Sequence, residues 1–384
     1  MANVLTDVIP VLLAQGLQIL RGATVMPRLV NTDFANMPAQ KGDTVNVWIP
    51  SAATVADVAP SAAPYQAPDS SGVKVPIQLN RWRHSGFFLT DKEQEEIAAG
   101  YKSRKAEESV KVLANDVNAF LLAQYKQIYG YVGTAGTTPF ASDVTAATAA
   151  RAALSRQLAP LTDRRFVMDV NAEANALGLA QFTSAEKVGS NTAIIDGTLG
   201  RRLGFDFAMD QQVPTHTSTA LSAGNATVNG AQAAGVGSTD GGRTGTVSIA
   251  KATNAGTLVE GDIITFAGDA QTYTVLANTT LIVGNTSVPI APALQSAKSG
   301  GELMSLKASH VVNLAIHRDC IAFASRPLQA AKDNTVEMMS VADPISGIAL
   351  RLEVTRQNKQ WLWDFDILYG GKCVRPELGV RVAG

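Results

Sequence analysis

The chain has 384 residues, of which 46% are apolar and 17% charged, and its 32 basic and 33 acidic residues leave a net charge of −1. That length buries about three quarters of the unfolded surface and predicts two or three domains, and the near-zero charge excludes a protein that grips nucleic acid through a global basic field. Charge this sparse, against about 25% in ordinary soluble domains, predicts a surface largely covered by partners.

Residues 4–21 read as a helix. Asp7, Gln15 and Gln18 interrupt its apolar residues and no cationic segment precedes it, so it is amphipathic rather than an export signal. Pro10 is tolerable in a first turn capped by Thr6 or Asp7. No apolar run anywhere in the chain is long enough to span a bilayer.

A strand follows, with Val45, Val47 and Ile49 alternating with Thr44, Asn46 and Trp48. A second run, 73–89, carries Val73, Val75, Ile77 and Leu79 at the same period, and the segment joining the two is rich in Ala, Pro and Ser. Together they predict a long two-stranded arm. Such hairpins are marginal alone, and ordering about forty residues costs on the order of tens of kcal/mol of backbone entropy. The expected support is a neighbouring copy of the chain; the alternative is a disordered linker.

The strongest helical signal runs from Asp91 to about Tyr129. Thr90 and Glu93 have capping-box spacing, and apolar residues recur at Ile97, Tyr101, Val110, Leu113, Val117, Phe120, Leu121 and Ile128. At about 1.5 Å per residue this spine would be roughly 55 to 60 Å long. Its first half alternates blocks of charge and should be solvated, its second half should be core, and Gly100 is a place for a bend. Beyond it, Ala147, Ala150, Ala153, Leu154 and Leu158 predict a helix before Pro160, then a strand over 165–170 and a helix over 172–182.

Two segments, 196–216 and 310–328, share a mixed composition of charges and short apolar runs. Between them 217–307 is rich in Gly, Ala, Thr, Ser, Val and Asn, with period-two apolar patches between turn residues. This predicts an all-β module inserted into a loop of another domain. The last third opens with apolar alternation over 311–323 and closes with a hairpin of 349–355 and 360–369. Centring its turn on Gln357 and Asn358 sets Leu350 opposite Phe365, Leu352 opposite Trp363, Val354 opposite Trp361, and Arg351 opposite Asp364.

Catalytic motifs are fragmentary. His317-Arg318-Asp319 copies part of a kinase catalytic loop and 363–366 faintly resembles its metal-binding triplet, but Ala324 stands where the metal-binding Asn belongs and Asp366 replaces the glycine. His84, His216, His310 and His317 lack metal-ligand spacing. The glycines of 197–204 do not match a dinucleotide fingerprint, and Cys373 occupies the Ser/Thr position of a phosphate loop. Cys320 and Cys373 form no CxxC motif, which suits a reducing cytoplasm. No catalytic, cofactor-binding or metal residue is predicted, and the chain is not expected to be an enzyme. Arg201-Arg202 reads as a surface or interface contact rather than a phosphate site.

The order of these parts, with LGRRLGFDFAMDQQVPTH and NLAIHRDCIAFASRPL flanking the insertion, VEGDIITFAG and TYTVLANTTLIV within it, and YGGKCVRPE after the closing hairpin, resembles the major capsid (coat) protein of tailed double-stranded DNA bacteriophages. The likeness is to the coat type of short-tailed Salmonella phages, which carries an inserted β domain. It implies a mixed α+β capsid fold: an N-terminal arm (1–32), an extended loop (33–90), a peripheral domain with the spine helix (91–144), an axial domain in two parts (145–220 and 308–360), an inserted β-barrel or sandwich (221–307) and a returning C-terminal strand (361–384). It further implies hexamers and pentamers closing into an icosahedral shell, a scaffolding protein, a portal, weak non-specific contact with packaged DNA, and residence in the virion after assembly in the bacterial cytoplasm. A separate scaffolding protein is expected, because no helical pro-region precedes the arm. The segment 229–246 resembles the mobile loop by which related coats touch one another, which makes Asp240 and Arg243 candidate inter-subunit contacts beside Arg201 and Arg202. An encapsulin-like compartment with the same fold is the alternative. An exported adhesin would also explain a Gly/Thr-rich β module, but lacks its export signal.

Overall fold

The computed structural model describes residues 8–33, 44–49, 72–96, 99–184, 192–219, 226–251, 256–328 and 337–384. The N-terminal helix, Val8–Ala23, holds Pro10 in its first turn and buries Leu12, Leu13 and Leu20. Gly16 lets it approach the spine, since a Cβ there would meet Val110 and Leu350 side chains at 3.3 Å. Thr6 and Asp7, the expected caps, lie outside the described residues.

The spine helix ends earlier than the expected Tyr129. Helix Asp91–Glu96 starts at the capping box, in which the Glu93 amide donates to Thr90 Oγ1 at 3.2 Å and the Thr90 amide donates to Glu93 at 2.9 Å. Helix Ala99–Leu122 then runs 24 residues, about 36 Å, and tightens into a 3-10 turn at Ala123–Gln127. Ile97 lies outside the described residues. Val110, Leu113, Val117 and Leu121, spaced by three and four, form the buried stripe. The helix stops early because carbonyls beyond it have partners elsewhere: Thr274 Oγ1 donates to Lys126 O at 2.8 Å and Thr272 Oγ1 to Tyr129 O at 2.6 Å. The next helices follow expectation closely, at Thr145–Arg156, Val170–Gly178 and Ala180–Thr183. Leu158 lies past the first of them at positive φ, 88% exposed.

Two sheets form the body. One runs β4 (Gly130–Gly133), β22 (Gly379–Ala383), β17 (His310–His317), β5 (Arg164–Met168), β7 (Phe205–Met209), β6 (Arg201–Arg202), with β8 (Thr215–His216) on the start of β17. Pairs β4–β22 and β5–β7 are parallel, the others antiparallel. The other runs β18 (Ile321–Arg326), β21 (Gln360–Cys373), β20 (Ala349–Gln357), β19 (Glu337–Ala342), with β3 (Arg81–Thr90) also on β21. The run 311–323, expected to alternate, is instead two strands in different sheets. Nearly every residue of β17, β18 and β22 is buried, because both faces are covered.

The closing hairpin exists, but its register is two residues from the expected one. Leu350 pairs with Ile367, Leu352 with Phe365, Val354 with Trp363, and Arg351 with Asp366 rather than Asp364. The turn centres on Asn358 and Lys359, both at positive φ (51° and 61°), the backbone that a two-residue turn between right-twisted strands requires.

The arm is also corrected in its support. β1 (Thr44–Ile49) and β2 (Val73–Gln78) pair antiparallel, Val47 against Val75. Val45, Val47, Val75 and Ile77 pack on Ala322, Ala324 and Val374 of the same chain, so the root of the arm needs no neighbouring copy. The second arm strand ends at Gln78 instead of running to Leu89, and the chain then joins β21 as β3. The crossing depends on Gly370, where a Cβ would sit 2.2 Å from the Gln78 carbonyl oxygen. The joining segment, 50–71, lies outside the described residues.

The segment between β8 and β17 builds its own sheet: β16 (Met304–Leu306), β12 (Ile263–Phe266), β13 (Tyr273–Val275), β15 (Gly284–Ala291), β10 (Gly245–Lys251), β9 (Ala226–Val228). A bridge between Thr227 and Leu303, with the Val228 amide donating to Glu302 O at 2.9 Å, brings β9 back beside β16 and closes a barrel. β11 (Gly256–Leu258) and β14 (Thr279–Leu281) make a separate pair. Along β10 buried and half-buried residues alternate, and Val247, Ile249, Ile264, Phe266, Tyr273, Val288 and Ile290 form a core distinct from that of the body.

Candidate assembly interface

The four residues expected at contacts fall in two places. Arg201 and Arg202 form the two-residue strand β6 against β7, joined by a turn with Leu203 and Gly204 at positive φ. Arg201 Nε lies 3.9 Å from Asp206 in an exposed pair, worth little in water. Arg202 Nη1 donates to the Arg201 carbonyl at 2.8 Å. This part of the fold also carries exposed Leu158 (88%), Ile195 (75%), Ile194 (64%) and Leu161 (64%), apolar side chains of the kind that mark contact surfaces.

Asp240 and Arg243 lie together in the barrel loop, which folds back on the arm root. Asp240 accepts from the Thr244 amide at 2.9 Å, from Thr244 Oγ1 at 2.7 Å and from Ser238 Oγ at 3.2 Å. Burial raises its pKa, but those bonds and Arg243 outweigh it and leave the carboxyl below the ordinary value. Arg243 Nη2 donates to the Val374 carbonyl. Both residues line a cleft of about 190 Å³ with Val73, Lys74 and Lys372. Elsewhere the arm root exposes Trp48 (58%), and β3 exposes Trp82 (49%) and Phe88 (64%). Exposed aromatic rings are over-represented at protein interfaces.

The kinase-like fragments have structural partners. Asp366 forms a two-pronged pair with Arg351, at 2.8 Å from Nε and 2.5 Å from Nη2, and accepts from Trp82 Nε1 at 2.7 Å. Asp364 faces His84 at 3.2 Å, and burial raises its pKa despite that contact. Asp319 accepts from Asn31 at 2.7 Å, and Arg318 pairs with Asp33 at 2.8 Å.

Sequence reasoning missed the neck of the barrel. His216 and His310 are cross-strand partners where the chain enters and leaves it. Arg381 is fully buried and donates to Gly261 O at 2.5 Å, Lys126 O at 3.1 Å and Thr274 Oγ1 at 3.0 Å, with its guanidinium 5.0 Å from the Tyr125 ring centroid. Burial pushes its pKa down to about 9, leaving it charged at neutral pH. The available signal was one histidine at each flank of the insertion and an arginine inside the apolar end of the chain.

No protein-family model matches the chain, and no curated protein is similar to it in sequence. Its fold does match solved structures. A structure of Mycobacterium phage Che8 superposes over 93% of this chain and 90% of its own, with TM-score 0.50 and 14% identity. The capsid structure of the cyanophage P-SCSP1u covers 94% of this chain and 88% of its own, with TM-score 0.50 and 11% identity. At these identities the likeness is one of fold.

Proposed function

We propose that this chain, which has the fold of a phage capsid subunit, is a major capsid protein whose copies assemble as hexamers and pentamers into an icosahedral shell around a double-stranded DNA genome. The observation that carries the proposal is the fold likeness over nine tenths of the chain to a phage capsid structure. Exposed tryptophans on the arm root and β3, and the apolar side chains around β6, supply surface for heterologous head-to-tail contacts, the kind that close into rings. Arg201, Arg202, Asp240 and Arg243 are proposed contributors. The same reading makes the barrel the inserted domain of the short-tailed Salmonella-phage coat type, places the finished protein in the virion, and calls for a scaffolding protein and a portal during assembly in the host cytoplasm. Near-neutral charge fits only weak, non-specific contact with packaged DNA.

Particle size after expression with and without a candidate scaffolding protein, by electron microscopy and sedimentation, tests this. Closed shells tens of nanometres across are expected, dependent on the second protein. A monomer or dimer under both conditions overturns the proposal. Shells that form alone and copurify with an enzyme would replace it with an encapsulin-like compartment.

A further inference from the structure

The two histidines at the barrel neck are wired differently. Their rings are 5.6 Å apart between centroids, and they are 3% and 2% exposed. His216 has a partner at each ring nitrogen: Nε2 lies 2.9 Å from Asp262 Oδ1, and Nδ1 lies 3.0 Å from the Tyr125 hydroxyl. The carboxylate takes the Nε2 hydrogen, and a phenol can donate to Nδ1 or accept from it, so neither nitrogen is left without a partner. His310 lacks that provision. Its Nδ1 lies 2.8 Å from Ala308 O and so carries the hydrogen, while Nε2 is buried with no hydrogen-bond partner among the described residues.

A second proton on His310 would therefore be a buried donor without an acceptor. It would also face Tyr131 of β4, edge-on at 5.2 Å, His216 of β8 and the buried Arg381 of β22. The barrel contributes Asp262, which already accepts from His216 and from the Val259 amide at 2.7 Å. Further out, Lys126 pairs with Glu260 at 3.4 Å, and Lys307 Nζ lies 5.7 Å from the Tyr131 ring centroid. Positive neighbours outnumber free negative ones.

We propose that His310 is an acid-operated release for the barrel: protonation at Nε2 undocks the barrel from the body at the neck. Burial of the ring, opposed by the Ala308 bond, holds its pKa below the ordinary value of 6.5. The docked form thus binds this proton less readily than the undocked form. Above about pH 6.5 the ring is neutral in both forms and docking has its full strength; as the pH falls through the lower docked value, that strength is lost. The device uses one chain and does not rest on the shell proposal.

Hydrogen–deuterium exchange on the purified full-length chain, from about pH 7.5 to about pH 5 and corrected for intrinsic rates, tests it. Peptides covering 126–131, 214–218 and 308–312 should lose protection roughly tenfold for each unit separating the docked and undocked pKa, with a midpoint below about 6.5, while β10 and β15 keep theirs. His310→Gln keeps a donor for Ala308 O, cannot titrate, and should abolish the pH dependence; His310→Phe serves if that variant does not fold. A flat wild-type profile at the neck, an unchanged profile in either variant, or parallel loss of protection in the barrel core would each overturn the proposal.

Discussion

The arm root and the barrel are both β structures added to the body, and they are held in opposite ways. The arm root is two strands with no core of its own, and it borrows Ala322, Ala324 and Val374 from the body. The barrel closes on itself around its own core and meets the body through hydrogen bonds, a buried arginine and the His216–Asp262 contact. Apolar borrowing ties the arm's stability to the sheets beneath it. A polar neck leaves the barrel stable by itself and makes its position conditional on the neck's protonation and geometry.

That contrast breaks down if the barrel and body unfold as one unit. Tyr273→Ala should cost about 3–5 kcal/mol and, if the cores are separate, should lower a barrel transition in calorimetry while the body's transition stays in place. Ile77→Ala, at the arm root, should cost about 2–4 kcal/mol and act on the body's transition instead. A single transition shifted equally by both variants would remove the distinction. Gly370→Ala forces a methyl against the Gln78 carbonyl; a loss of about 1–3 kcal/mol on the body's side, with faster proteolysis of the arm, is expected. The smallest effect belongs to Asp240, which ties the barrel loop beside the arm root. Asp240→Ala should cost about 1 kcal/mol. Because its folded pKa is depressed, the wild-type contribution is present above the ordinary carboxylate pKa and lost as the pH falls through the folded value. Urea titrations of both proteins near neutrality and at acid pH should converge at the acid end.

The barrel was legible in composition and the spine in its periodicity. The hairpin shows where legibility stops. Its apolar faces were assigned correctly, yet a slip of two residues leaves every side chain on the same face, so alternation cannot distinguish the two registers. Only the positive φ at Asn358 and Lys359 decides. The arm's support was hidden for another reason: Ala322 and Ala324 lie far along the chain in a strand whose small side chains advertise no binding surface. The neck was invisible because a histidine's partners are set by three-dimensional neighbours, and nothing in the spacing of His216 and His310 marks them as a pair. The candidate contacts Asp240 and Arg243 could be named from their loop, but not their engagement with Thr244 and Val374.

The direct pairing of His216 with His310 also bears on the order of events as the chain folds. In an unfolded chain, bringing β8 to β17 means closing a loop of all the intervening residues, and the entropic penalty grows with the logarithm of that length. A barrel that has already formed holds the two ends together in advance. Its segment also leaves the ribosome before β17, β18, β21 and β22, the strands that complete both sheets of the body. The insertion, an interruption when read along the sequence, would then shorten the loop that joining the two halves of the body has to close.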